Sequence, residues 1–125
     1  MSDELYLKFV DWIARINQAE SIPPDLCAFN FGLIETEKGY SAYLTGAKTF
    51  DPENDDWACA EDFVPKEKYF ELGDEFAGAD WRKVEKKFIE LLERGIGSTD
   101  FSQTFLAKAE AITCGFDDGE LFRIK

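Results

Sequence analysis

Hydrophobic positions near the start of the chain follow a helical period. Leu5, Phe9, Trp12, Ile13 and Ile16 fall three or four residues apart on one stripe, and Asp11 and Arg15 make an i,i+4 pair outside it. Ser2 serves as an N-cap, with Asp3 and Glu4 in the first turn where the helix dipole favours acids. The helix is expected to run to Gln18, before Pro23 and Pro24 forbid continuation. The period then changes to two. In "LCAFNFGLIETEKGYSAYLTGAKTF", Cys27, Phe29, Phe31 and Leu33 alternate and should face a core, and Gly39 can take the positive φ needed to turn into a second run, Tyr40 to Phe50. Helical spacing returns after Asp80, a cap. Trp81, Val84, Phe88, Leu91 and Leu92 share a face, Arg82, Lys83, Lys86 and Lys87 surround the first two turns, and the helix stops at Arg94 and Gly95.

Near the end, "FSQTFLAKAEAI" can be a short helix, whereas "AITCGFDDGELFRIK" reads as a hairpin turning at Asp118 and Gly119. That register sets Phe116 opposite Leu121 and Phe122 opposite Gly115. The expected fold is a single α+β domain over residues 1–125, with about four antiparallel strands in two hairpins, two helices and a long acidic loop.

The loop is where the period fails. "FDPENDDWACAEDF", residues 50 to 63, holds six carboxylates (Asp51, Glu53, Asp55, Asp56, Glu61 and Asp62) and Trp57, with no basic residue. Pro52, Pro65, Gly73 and Gly78 argue for a structured loop, and loops of this length in compact domains are often functional. Charge sharpens the picture. The chain has 26 acids against 14 bases, net −12, and 11 of the acids fall between Asp51 and Asp80 against only Lys66 and Lys68, net −9 for that block. Such a block repels nucleic acid and anionic membrane and steers basic surfaces inward, so neither nucleic acid nor membrane is expected as a partner. The hydrophobic content, 45%, suffices for a core, and no run reaches the roughly 18 apolar residues of a membrane span. The opening "MSDELYLKFV" lacks a basic n-region, and Cys27, Cys59 and Cys114 are odd in number with no CxxC. A cytoplasmic protein with reduced, packed thiols is the expectation.

Candidate chemistry is sparse. The chain contains no histidine, which removes Ser-His and Cys-His nucleophile systems and nearly all catalytic zinc sites. "GIGSTD" lacks the third glycine of a dinucleotide loop and follows a helix, and no phosphate-binding GxxxxGK[ST] occurs. Asp55 with Asp56, or Glu61 with Asp62, could act as acid and base, but adjacent residues rarely face each other across a substrate. Asp51 to Asp62 also invites comparison with a calcium loop. It departs where Asp56 replaces the required glycine, Asp62 the final glutamate, and Pro52 occupies the second position. No enzyme activity and no cofactor are expected. Trp57 either folds back onto the sheet or anchors a partner within a rim of charge. Asp117 and Asp118 either form a turn or join that partner surface.

"YLTGAKTFDPENDDWACAEDFVP", followed near the end by "AITCGFDDGELFRIK", resembles small bacterial immunity proteins of contact-dependent and polymorphic toxin systems, over residues 27 to 125. The resemblance implies a cytoplasmic antidote that blocks a cognate toxin domain without catalysis. Many such toxins are nucleases with basic clefts, to which a −9 block is the charge complement. The expectation is a non-enzymatic binding protein that offers Asp51, Glu53, Asp55, Asp56, Trp57, Glu61, Asp62, Asp117 and Asp118 to a basic partner. The rival readings are a calcium-, magnesium- or manganese-dependent module or carboxylate enzyme, and an acidic interaction domain.

Overall fold

The computed structural model describes residues 2–37, 39–73, 76–117 and 119–125. These form an α+β arrangement of two α-helices and a five-stranded mixed sheet. In chain order the elements are α1 (Ser2–Ala19), β1 (Ala28–Thr36), β2 (Gly39–Ala47), β3 (Tyr69–Glu71), α2 (Trp81–Ile96), β4 (Ala111–Phe116) and β5 (Phe122–Arg123), with 3-10 turns at Asp55–Cys59 and Phe105–Lys108. Strand order is β3-β2-β1-β4-β5.

The first hairpin forms as its alternation predicts, Ala28 opposite Ala47 through Thr36 opposite Gly39, and Gly39 takes φ 138°. Two expectations need correction. The strands are five, not four, because the acidic block itself contributes β3, too short to show a period. They are also not all antiparallel: β1 and β4 pair in parallel, Ala28 beside Ala111 through Leu33 beside Phe116. A parallel pair needs a long crossover, and the chain between them supplies one that includes α2. The last hairpin is shifted by one residue. Cys114, and not Gly115, lies opposite Phe122, because the turn closes earlier, with Gly119 N–H donating to Phe116 O at 2.9 Å.

Both helices cover one sheet face. Phe29, Phe31 and Leu33 from β1, Leu44 from β2 and Ile112 from β4 point there and meet Phe9, Trp12, Ile13 and Ile16 of α1 and Val84, Phe88, Leu91 and Leu92 of α2. Phe9 is fully buried, with the rings of Trp12, Phe31, Phe70, Phe88 and Phe101 between 5.3 and 6.0 Å from its own. Trp12 stacks on Phe70 of β3 at 5.3 Å and donates Nε1–H to Glu67 O at 2.8 Å, so α1 also holds the middle of the acidic block. The second helix begins at its expected cap, Asp80 Oδ1 accepting from Arg82 N at 2.9 Å, and continues to Ile96. Trp81 departs from the expected buried face. It precedes the first residue that reaches the core and stands 47% exposed.

Candidate functional site

The far face of the sheet carries small and polar residues. Ala28, Ala47 and Ala111 form one row across β1, β2 and β4, followed by Asn30, Thr45 and Thr113, then by Gly32, Tyr43 and Gly115. Such a face leaves room for a second layer, and the acidic segment is that layer. Trp57, 7% exposed, packs on the three alanines with Phe50, whose ring lies 5.1 Å away nearly edge-on. The buried polar row beneath is satisfied, Thr113 Oγ1 donating to Asn30 Oδ1 at 2.9 Å. Trp57 therefore plugs the sheet and does not stand out as an exposed anchor.

With Trp57 pointing inward, the carboxylates around it point outward. The segment is more ordered than a plain loop. Asp51 Oδ1 accepts from Glu53 N at 2.9 Å, and Asn54 Oδ1 caps the 3-10 turn by accepting from Asp56 N at 2.8 Å. Beyond the turn, Gly46 and Phe63 exchange backbone hydrogen bonds at 2.8 and 3.1 Å, and Asp62 Oδ2 accepts from Lys48 N at 2.8 Å. Asp51, Glu53, Asp55, Asp56, Glu61 and Asp62 are all exposed. Among the described residues, none of the six is in an ion pair. The turn thus presents its charge on a backbone tied at both ends.

Asp117 joins this face from the other end of the sheet. Its Oδ1 accepts a short hydrogen bond from the Tyr43 hydroxyl. Burial pushes the Tyr43 phenol well above its ordinary range, and the bond to Asp117 together with the charges of Asp117, Glu61 and Cys59 pushes it further. Tyr43 therefore stays protonated and holds Asp117 on this face. Asp118 lies outside the described residues. The face also has cations at its margins: Lys68 Nζ lies 5.1 Å from the Tyr43 ring and 5.4 Å from the Tyr69 ring, and the Arg123 guanidinium lies 4.9 Å from the Phe50 ring.

No side chain here is tuned as a nucleophile. Burial raises the Cys27 and Cys114 thiols, the opposite of activation. Cys59, expected to be packed, is exposed at the end of the 3-10 turn because Trp57 takes the inward position there. Among the described residues no group of three or more carboxylates or thiols converges closely enough to hold a metal ion. No described helix is long and apolar enough to cross a membrane.

The sequence pattern gave no notice of a cleft beyond the ends of β1 and β4, where Trp81 and Phe122 are exposed beside Glu85 and Glu120. The signal was present only as a tryptophan directly after a helix cap, which helical spacing assigned to the core. No family model, curated protein or solved structure matches this chain.

Proposed function

We propose that this chain is a non-enzymatic binding protein of the immunity type, which neutralises a toxin domain by laying its acidic turn against a basic surface, such as the substrate cleft of a nuclease. One observation carries the reading: six exposed carboxylates without cationic partners among the described residues, held on a turn that Trp57 pins to the sheet. A loop ordered before binding loses less conformational entropy on association than a mobile one. Unpaired carboxylates on it raise the encounter rate with a basic partner and set its orientation. Asp117, tied to Tyr43, extends the surface along the same face. Trp57 acts indirectly in this account, as the support of the turn.

The test is capture of the partner from its native lysate at low and then high salt, with wild type beside Asp55→Lys/Asp56→Lys. Both positions are exposed, so the fold should survive the change. The reading expects one basic protein that persists at high salt on wild type and associates at least about ten-fold more slowly with the variant. A diffuse set of basic proteins, all lost as salt rises, would defeat it. So would a specific partner that binds the variant at an unchanged rate.

A further inference from the structure

The described residues line an open cleft of about 790 Å³ at the C-terminal ends of β1 and β4, beside the first turns of α2. That volume lies within the ~300–1,000 Å³ typical of small-molecule sites. Part of the lining is aromatic. Trp81 meets Phe116 edge-on at 5.8 Å, and Phe122 faces the space from β5. Trp81 and Phe122 are 47% and 43% exposed, more than such large aromatic side chains usually leave to water. Carboxylates share that lining, Glu85 one turn after Trp81 on α2, Glu120 two residues before Phe122 and Glu35 on β1, and the described lining residues include no lysine or arginine.

The carboxylates differ in their commitments. Asp117, also in the lining, is held by the Tyr43 hydroxyl. Glu85 is partly buried, and burial holds its carboxyl above the ordinary range, an effect that a backbone hydrogen bond from Phe116 offsets in part. Glu35 and Glu120 have no ion-pair partner among the described residues. The N-terminus of α2 contributes a positive field nearby, but Asp80 caps it and balances Arg82 at 3.5 Å. Arg82, which does not line the cleft, already lies 4.9 Å from the Trp81 ring, an internal instance of a guanidinium held by this aromatic.

From this interleaving of aromatic and carboxylate side chains in one lining we infer that the cleft binds a small organic cation, an ammonium or guanidinium group carried on a flat or aliphatic apolar body. Anions are repelled, and neutral apolar compounds leave the carboxylates without a partner. A single lysine or arginine side chain from a protein would fill only a fraction of the space. The cleft lies about 17 Å along β1 from the row that Trp57 covers, five residues at ~3.3–3.4 Å each, and this assignment does not depend on the acidic turn.

Benzamidine is a suitable probe, with the neutral isostere benzamide and the anion benzoate as controls, each titrated into isotopically labelled full-length protein near 0.15 M salt while amide and indole resonances are followed. Benzamidine should give saturable shifts at Trp81, Glu85, Phe116 and Phe122. Benzamide should bind at least about ten-fold more weakly and benzoate not at all. Trp81→Ala and the pair Glu85→Gln/Glu120→Gln should each weaken benzamidine about five-fold or more. If Trp81→Ala disturbs the spectrum globally, the glutamine pair decides alone. Equal affinity for benzamide, or shifts confined to residues 51–62, would overturn the inference. Saturable binding of an arginine-rich peptide without any of benzamidine would overturn it too, making the cleft a groove for a protein partner.

Discussion

Glu61 shows how the acidic turn is held at the level of one residue. Its φ of 46° is the one positive value for a non-glycine among the described residues, and it occurs where the chain leaves the 3-10 turn to rejoin the sheet at Phe63. A left-handed backbone costs an L-residue about 1–2 kcal/mol, whereas glycine adopts it freely. Glu61→Gly should therefore raise the free energy of unfolding by about 1 kcal/mol, after allowing for the extra chain entropy glycine gives the unfolded state. Urea denaturation checks this. A midpoint that stays put or falls would mean that the glutamate side chain contributes more than the strain it imposes. The surrounding pattern of small residues has a similar logic. A Cβ on Gly32 would lie 2.0 Å from the Tyr43 ring, so the phenol that holds Asp117 depends on a residue with no side chain.

At the scale of elements, the first helix sends Leu5, Tyr6, Phe9, Trp12, Ile13 and Ile16 into the core. Phe9 sits inside a cage of five rings drawn from α1, β1, β3, α2 and the segment after α2. Phe9→Ala removes all of those contacts at once and should cost about 3–5 kcal/mol, read as a drop in urea midpoint with little change in slope. A loss under about 1 kcal/mol would mean that the neighbours collapse into the space. The same helix is tied to the acidic block through Arg15, which reaches Asp11 on its own helix and Glu67 Oε1 at 3.0 Å. The Arg15 guanidinium, chiefly through its hydrogen bond, holds the Glu67 carboxyl below its ordinary range; burial opposes this in part, and the Arg15 charge adds a lesser lowering. A carboxyl so lowered adds stability that is complete above its unfolded value, near 4.5, and fades as pH falls through the lowered one. Both side chains are about half exposed, which keeps the effect small. Glu67→Gln should flatten the acid side of the stability profile below about pH 5 and leave its slope at neutral pH unchanged. An unaltered acid limb would mean that the pair contributes nothing in solution.

These elements also mark what sequence periodicity can and cannot reveal. The long amphipathic helices and the β1–β2 hairpin are legible because nine or more residues repeat one pattern and each pattern fits one partner face. Tyr69–Glu71 contains only three residues, so no period can develop, and it is a strand because β2 pairs with it; Phe122–Arg123, with two, was legible only through the turn residues before it, which fix a hairpin but not its register. The parallel β1–β4 match is a tertiary fact, set by α2 covering the crossover. Of the candidate surface, the charges were legible residue by residue, since acids without nearby bases stay solvated. The direction of Trp57 was not, because it depends on the alanine row at positions 28, 47 and 111, brought together by three different strands.

For the molecule as a whole, the uneven charge has a cost that can be measured without a partner. A net charge of −12, concentrated in one block, opposes the compact state through self-repulsion. Repulsion between exposed charges reaches about 30 Å at 0.01 M salt and about 8 Å at 0.15 M. Raising sodium chloride across that range should therefore raise the urea midpoint at pH 7. The exposed ion pairs Lys8–Glu4, Arg15–Asp11, Arg15–Glu67, Lys48–Asp25 and Arg82–Asp80 weaken under the same salt and pull the other way. They lie outside positions 55 and 56, so a comparison of variants separates the two effects. In Asp55→Lys/Asp56→Lys each change removes a negative charge and adds a positive one, moving the net charge from −12 to −8. The salt-dependent gain should shrink markedly in that variant and its low-salt midpoint should rise above that of wild type. Equal salt responses would locate the repulsion elsewhere and would detach the acidic turn from the energetics of the fold. The predicted outcome has a functional corollary: the repulsion that destabilises the free protein at low salt is what a basic surface relieves on binding. The substitution that most stabilises the isolated chain should then be the one that most slows its association with such a partner.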